Sequence, residues 1–344
     1  MTKKPAIILF AVVACAAIGF VLHWNYANRP EDPDTRDVLR GVIELDELSN
    51  TSNALIIGYN YHLLEDFASE CGKEIEISLS RRPSSCLDSL KRKSIDILVV
   101  PFTEKPAPDS TIQSNPIDSL CLWQTSFENR KFLKRINGWI AELEQSEEHG
   151  KVRDAFLVNF NPYKHNPDDG FSPYDPIIKA YADSIGWDWR LLGAMIYKES
   201  RFHIEAVSHR GAAGLMQTMR STSESLGITD PLNPEGGVRA GALYIKKLSR
   251  RFRSIAADRD EQIKFTLAAY NAGETRILDC IKYAGHKGAD STRWEGITTI
   301  IPEMSDSSVV ESGILSCGKF YGIETIDYVD GVLKIYDDFK KIYK

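Results

Sequence analysis

The hydrophobic pattern divides the chain into three unequal stretches. Pro5 to Trp24 is a run without a charged side chain. At about 1.5 Å per residue, a helix of that length spans roughly 30 Å, one bilayer core. Lys3 and Lys4 precede it; Glu31, Asp32 and Asp34 follow, with only Arg29 as a nearby positive charge. The distribution of basic residues predicts a cytoplasmic N-terminus over 1–4, a transmembrane anchor over 5–24, and the remainder on the far side of the membrane. The run ends in His23-Trp24-Asn25-Tyr26, an interfacial anchor rather than a cleavage site. Two alternatives stay open: a cleaved signal peptide, and a lipoprotein modified at Cys15 after Val12-Val13-Ala14.

A polar linker covers 25–38. Beyond it short apolar runs alternate with helical spacing. Ala54–Gly58 reads as a buried strand, Tyr61–Glu70 as a helix with Leu64, Phe67 and Ala68 on one side, and Glu74–Leu79 as a strand. Cys86–Lys93 reads as a short helix, and Ile95–Val100 as a strand stopped by Pro101. This alternation predicts a small α/β domain over 39–158 with a partly parallel sheet. Glu104–Pro116 is proline-rich and aperiodic, hence a loop. Phe132–Gln145 has Leu133, Ile136, Ile140 and Leu143 on one helical face.

Residues 159–173 are rich in Pro and Asn and form a second linker. From 174 to 344 the period is helical throughout. Ile177, Ile178, Tyr181 and Ile185 stack on one helix that stops at Gly186, and Trp187–Ser200 is the next. Asn233-Pro234 opens a long helix, Asn as N-cap and Pro at the first position, with Val238, Ala242, Ile245, Leu248 and Phe252 along its apolar side. Ile263, Leu267 and Tyr270 mark another. The last runs from about Thr325 through Val329, Leu333, Tyr336 and Phe339. The overall class is therefore α+β: a mainly α domain preceded by a small α/β one.

Charge narrows the partners. The 344 residues carry 42 basic and 48 acidic side chains, a net charge of −6. Residues 171–344 are neutral, with 23 of each sign. No broad basic field exists, so nucleic acid is not expected as a partner. Of the six cysteines, Cys15 lies in the apolar run and five remain. Cys280–Cys317 is a candidate disulfide, with buried free thiols the other reading. His203 and His209 do not share a helix face, and no His-Glu-x-x-His pattern occurs, so neither metal nor cofactor is expected.

The position with most chemistry is Glu199. It follows Met195 by four residues and Ile196 by three, which places its carboxylate on the apolar side near a helix C-terminus. Desolvation and the negative end of the dipole both favour the protonated acid there. A carboxylic acid that donates a proton near neutral pH is what glycosidic cleavage requires. A salt bridge to Lys198 or Arg201 is the plainer alternative. Ser200 follows at once with a hydroxyl. Gly211-Ala-Ala-Gly214-Leu215-Met216-Gln217 offers a turn, an adaptable thioether and an amide suited to a sugar. Ala269-Tyr270-Asn271-Ala272-Gly273 places a Tyr and an Asn at a helix end.

Taken in order, Glu199-Ser200, Gly214-Leu215-Met216-Gln217 and Ala269-Tyr270-Asn271-Ala272-Gly273 resemble the catalytic domain of the soluble-lytic-transglycosylase (SLT) family. Ser172-Pro173-Tyr174-Asp175 and Gly186-Trp187-Asp188-Trp189 resemble its opening, and Glu324-Thr325 with Tyr328-Val329 its closing motif. The resemblance covers about 171–335. It implies a lysozyme-like, mainly helical fold that binds peptidoglycan glycan strands, with Glu199 as the single catalytic acid and then base. It implies that Ser200 orients Glu199 and that Met216, Gln217, Tyr270, Asn271 and Tyr328 line the substrate groove. The implied reaction cuts the N-acetylmuramic acid–N-acetylglucosamine bond and leaves a 1,6-anhydromuramoyl end. A hydrolysing muramidase or a non-catalytic peptidoglycan-binding scaffold are the alternatives. The implied location is the inner membrane with periplasmic domains, or the outer membrane after signal cleavage or lipidation at Cys15. Arg250-Arg251-Phe252-Arg253 reads as a solvated helix end, with contact to anionic peptide stems as the second reading. Residues 285–320 match no part of the pattern.

The first half carries another resemblance. Gly58–Phe67, Asp96–Pro101 and Asn137-Gly138-Trp139-Ile140 are similar to pieces of a family-3 periplasmic solute-binding domain, which precedes the catalytic one in membrane-bound lytic transglycosylases of the F type. Residues 39–158 are too few for two lobes, so one lobe or a degenerate remnant is expected. Such a remnant would serve as a spacer or dock an envelope protein; a working ligand sensor and an unrelated fold are the other readings.

Overall fold

A computed structural model describes residues 32–45, 55–158, 162–163 and 170–344. The 5–24 anchor and Cys15 lie outside the described residues, among which no helix is long and apolar enough to cross a membrane. By its contacts the chain divides into two units: Met1–Asn50 with Asn60–Ser146, and Thr51–Tyr59 with Glu147–Lys344.

The first unit is built on a five-stranded sheet. Its strands are β1 (Val38–Glu44), β2 (Glu74–Ser80), β3 (Ile97–Pro101), β4 (Thr111–Gln113) and β5 (Cys121–Ser126), in the order β2-β1-β3-β5-β4. β1 runs parallel to β2 and β3, with Leu39 opposite Ile75 and Val42 opposite Leu98. β5 runs antiparallel to β3 and β4. Parallel neighbours need crossovers, supplied by helix α1 (Ile56–Glu70) between β1 and β2 and α2 (Pro83–Lys91) between β2 and β3. Phe67 of α1 packs edge-on against Trp123, Phe132 and Trp139 at centroid distances of 5.3–5.8 Å, which ties α1 and α3 (Arg130–Leu143) to β5. Arg36 and Asp96 form a buried ion pair at 3.0 Å, and Arg40 donates its N–H to the same carboxylate.

The structure departs from the sequence pattern at four elements. The apolar run ending at Gly58 is not a strand; Ile56 begins α1, and the run continues into Leu63, Leu64 and Phe67 on the same helix. A short unbroken apolar run fits a strand and a buried helical turn equally well. The expected loop 104–116 contains the short strand β4. β1 and β5 were not foreseen: Arg40 and Gly41 interrupt the alternation of β1, and every residue of β5 is buried although half of them are polar.

The second unit is helical. Helix α4 (Glu147–Leu157) is followed by α5 (Asp175–Ile185), which ends at Gly186 in the left-handed conformation, φ 68°. Helix α6 (Trp189–Ser200) is capped by Asp188, whose carboxylate accepts the Arg190 N–H at 2.9 Å. Helix α7 (Arg220–Ser225) leads to α8 (Pro234–Phe252), whose N-cap Asn233 accepts the Gly236 N–H at 2.8 Å. Helix α9 (Arg259–Ala272) stops at Gly273, φ 98°, and α10 (Glu274–Lys287) follows. The longest helix among the described residues, α13 (Ile323–Ile342), packs on α6 and α9. Its buried residues are Thr325, Tyr328, Val329, Val332 and Phe339, so Val332 rather than Leu333 enters the core.

Segment 289–320 folds as α11 (Trp294–Ile300), a 3-10 helix over Ile301–Ser305, and α12 (Ser307–Glu311). The buried carboxylate of Asp279 on α10 accepts the backbone N–H groups of Ser316 and Cys317 at 2.8–2.9 Å. Cys280 and Cys317 are both free thiols, contrary to the candidate disulfide. Cys280 is wholly buried, whereas the chain at Cys317 is held by its backbone to Asp279.

The Phe171 ring stacks between Trp189 and Phe339, each at 4.6 Å, and lies directly over Gly193 of α6. A Cβ at Gly193 would come within 2.0 Å of the ring. Gly193→Ala is therefore expected to destabilise the helical unit by about 2 kcal/mol through overpacking, read as a lower urea midpoint at constant slope.

Candidate active site

Helix α6 places Glu199 in its last turn, with Leu192, Met195 and Ile196 completely buried beside it. The helix then ends abruptly, because Arg201 and Phe202 both have positive φ, 53° and 65°. The Ser200 hydroxyl secures that turn. It donates to the Ile196 carbonyl at 3.2 Å and accepts the Phe202 N–H at 3.1 Å. It makes no hydrogen bond to the Glu199 carboxyl, so it positions Glu199 only through the backbone.

The partner of Glu199 comes from the far end of the chain. Tyr328 of α13 donates its hydroxyl to Glu199 Oε1 at 2.5 Å. Tyr328 is buried and Glu199 is half-buried. Removal of water raises the Glu199 pKa from 4.5 to about 7, against smaller opposing effects from the Tyr328 hydrogen bond and the Lys198 charge. Glu199 makes no ion pair among the described residues, which sets aside the salt-bridge reading. Burial, and then the neighbouring Glu199 charge, push the Tyr328 and Tyr270 hydroxyls well above the ordinary tyrosine range, so both stay protonated donors.

The other residues named from the sequence are reached through α9. Tyr270 donates its hydroxyl to the Met216 carbonyl at 2.8 Å, and its ring lies 5.3 Å from that of Tyr244. Asn271 is exposed, and its side-chain oxygen accepts the Thr325 hydroxyl at 2.9 Å. The Met216 side chain does not line an open groove. It is fully buried, and Gly241 of α8 makes room for it, since a Cβ there would lie 2.5 Å from its terminal carbon. Its contribution to the site is the carbonyl that receives Tyr270. Gln217 has φ 47°, and its amide donates to the carbonyls of Ala206 and Gly214 at 2.8 and 3.0 Å. That amide braces the loop. Gly214, φ 75°, lets the loop approach the Pro231 carbonyl, where a Cβ would meet the oxygen at 2.2 Å.

Glu199, Tyr328 and Tyr270 thus form one cluster, and Asn271 is fastened beside it through Thr325. Thr325 had no role assigned from sequence, although its place in the closing motif was a usable signal. Glu205 pairs with His203 at 3.0 Å. Among the described residues no group of His, Cys, Asp and Glu is arranged to hold a metal ion.

Residues 176–292 match the family described as Transglycosylase SLT domain. A membrane-bound lytic murein transglycosylase F of Desulfosudis oleivorans is 34% identical over 287 residues, 78% of this chain and 62% of the relative. The protein of the same name from Yersinia enterocolitica is 30% identical over 196 residues, 57% of this chain and 39% of that one. This chain therefore spans less than two thirds of the length of either relative. Among solved structures, the 70 kDa soluble lytic transglycosylase of Escherichia coli is similar at 22% identity and a TM-score of 0.35, over 49% of this chain and 24% of that one. The Glu199–Tyr328 pair joins a residue within the SLT match to one beyond its end, in α13.

Two outcomes follow for Glu199. Its protonated form is favoured by folding, so the stability it contributes is complete below about pH 4.5 and is lost as pH rises through about 7. Glu199→Gln, neutral throughout, should match the wild type in urea unfolding near pH 4 and exceed it near pH 8, by up to about 3 kcal/mol. Tyr328→Phe removes a bond that favours the carboxylate, so the Glu199 titration followed by carbon-detected NMR should move upward from about 7.

Proposed function

We propose that this chain is a peptidoglycan lytic transglycosylase in which Glu199 is the acid and then the base. The observation that carries the reading is one half-buried carboxyl, about half protonated near pH 7, with a tyrosine hydroxyl on one of its oxygens. The substrate class comes from the SLT domain and from the names of the relatives.

In the first step the Glu199 proton passes to the oxygen that links N-acetylmuramic acid to N-acetylglucosamine, and the bond from that oxygen to muramoyl C1 breaks. The carboxylate left behind keeps the Tyr328 hydrogen bond, which is stronger to the charged form than to the acid. In the second step Glu199 takes the proton of the C6 hydroxyl while that oxygen bonds to C1 and closes the 1,6-anhydro ring. Protons balance and no water enters. Glycosidases that activate water or form a glycosyl intermediate generally need two carboxylates; this reaction needs one. Tyr270, with Met216 and Gln217 bracing the loop below it, and Asn271 with Thr325, are assigned to sugar binding.

Residues 5–24 serve in this reading as a membrane anchor that leaves both units in the periplasm, in keeping with the membrane-bound naming of the relatives. The alignment with the Desulfosudis protein covers 78% of the chain, more than residues 171–344 can supply, so it extends into the first half. That supports a single solute-binding-like lobe over 39–158, acting as a spacer or as the dock for an envelope protein.

The test is mass spectrometry of purified peptidoglycan digested with the detergent-solubilised full chain. Anhydromuramoyl ends are expected from wild type and none from Glu199→Gln; reducing ends, or cleavage by the variant, would overturn the mechanism. The rate should also fall as pH rises through about 7, because the proton to be donated is lost there.

A further inference from the structure

The arginine run at the end of α8 divides in the structure. Arg251 pairs with Glu274 at 3.3 Å. Arg250 and Arg253 instead line a cavity of about 510 Å³, together with Lys246 and Arg259. None of these four cations forms an ion pair among the described residues. Lys246 Nζ donates to the Ser184 carbonyl at 3.3 Å, and the Arg259 guanidinium to that of Gly186, which fixes both at the rim. The one acid lining the cavity is Asp258. It is already engaged, accepting the Glu261 N–H at 3.0 Å and facing Arg293 at 3.4 Å.

This concentration of charge is not explained by helix dipoles alone. The C-terminus of α8 favours Arg250 and Arg253, but Arg259 is the first residue of α9, where a cation is disfavoured. Four like charges around one concavity repel one another weakly where they reach solvent, and together they set up a local field that attracts an anion. Three of the four are guanidiniums, whose forked donors match carboxylates in pairs. The cavity is large enough for several residues of an extended peptide rather than one small ion. Arg259 lies at the opposite end of α9 from Tyr270, about 16 Å along the helix axis.

We infer that this cavity is an anion-binding site for a short peptide bearing two or more carboxylates. Resting on the function proposed above, the source is the stem peptide of a peptidoglycan strand, at a sugar other than those flanking the bond that is cut. The pocket then favours stem-bearing strands over bare glycan.

Binding is measured first without catalysis. An acidic stem tetrapeptide is titrated by calorimetry into the full chain carrying Glu199→Gln, with and without Arg250→Ala and Arg253→Ala. Both arginines are exposed, and unchanged melting curves confirm that the fold is kept. The double substitution should weaken peptide binding by about tenfold, with a loss of the same kind in higher salt; Arg253→Gln alone should give a smaller loss. With Glu199 intact, the double substitution should raise KM about tenfold on stem-bearing peptidoglycan, leave kcat unchanged, and leave KM unchanged on strands stripped of stems by an amidase. No binding of the peptide, equal binding by all variants, or equal KM changes on both substrates would overturn the inference. So would loss of binding to phosphatidylglycerol vesicles with peptide binding intact, which would assign the site to a lipid headgroup. If the wild type cuts nothing while peptide binding depends on Arg250 and Arg253, the site stands and the enzymatic reading falls.

Discussion

The hydrogen bond from Tyr328 to Glu199 joins helices whose contact residues are 129 positions apart, and the site depends on it. A carboxyl in water is ionised near neutral pH and has no proton to offer. Here α6 brings the group to a helix end among buried side chains, and α13 closes over it with a tyrosine. Burial would leave the ionised form without support; the hydroxyl restores enough of it to hold the acid close to half-ionised near pH 7. The balance is struck mainly between burial and one phenol, with a smaller contribution from the Lys198 charge. Packing upstream serves the same purpose: Phe171 seats on the bare backbone of Gly193 and is clasped by Phe339, which fixes α13 against α6.

Much of this was legible in the sequence, because caps are local. Asn233-Pro234, Gly186 and Gly273 announce helix ends through their own backbone chemistry, and each helix begins or stops there. The placement of Glu199 also followed from spacing along a single helix. Long-range choices were not legible. Nothing local distinguishes a short apolar run that leads into α1 at Ile56 from one that forms a strand. β5 buries Gln124, Thr125 and Ser126 because neighbouring strands and helices cover both faces, a fact of topology rather than of composition.

The structure brings Glu199, Tyr270 and Tyr328 together, and gives several of the other candidate residues contacts different from those expected. Ser200, Met216 and Gln217 were expected to work with their side chains toward the acid or the sugar. The first and third turn those side chains to backbone groups, and Met216 is buried beneath the loop. A motif lists residue types that must be present and does not separate those that touch a ligand from those that hold the loop in place. Positive φ at Gln217, Arg201 and Phe202 shows how much of this region is spent on backbone geometry.

The clamp at Asp279 has a topological consequence. The chain leaves α10 at Lys287, wanders through α11 and α12, and returns to the same helix at Ser316 and Cys317, where one buried carboxylate receives it. Lys282 reinforces the return by donating to the Ile314 carbonyl at 2.8 Å. The segment is thus a closed handle with both ends on one helix. Because loop-closure entropy grows only logarithmically with length, residues can be inserted in the exposed part of such a handle, around Glu311 to Gly313, while its attachment points stay fixed. A nick inside it would leave two tethered ends instead of a released fragment. Variation in chain length between relatives can accumulate there without disturbing the register of α13, and so without moving Tyr328 from Glu199.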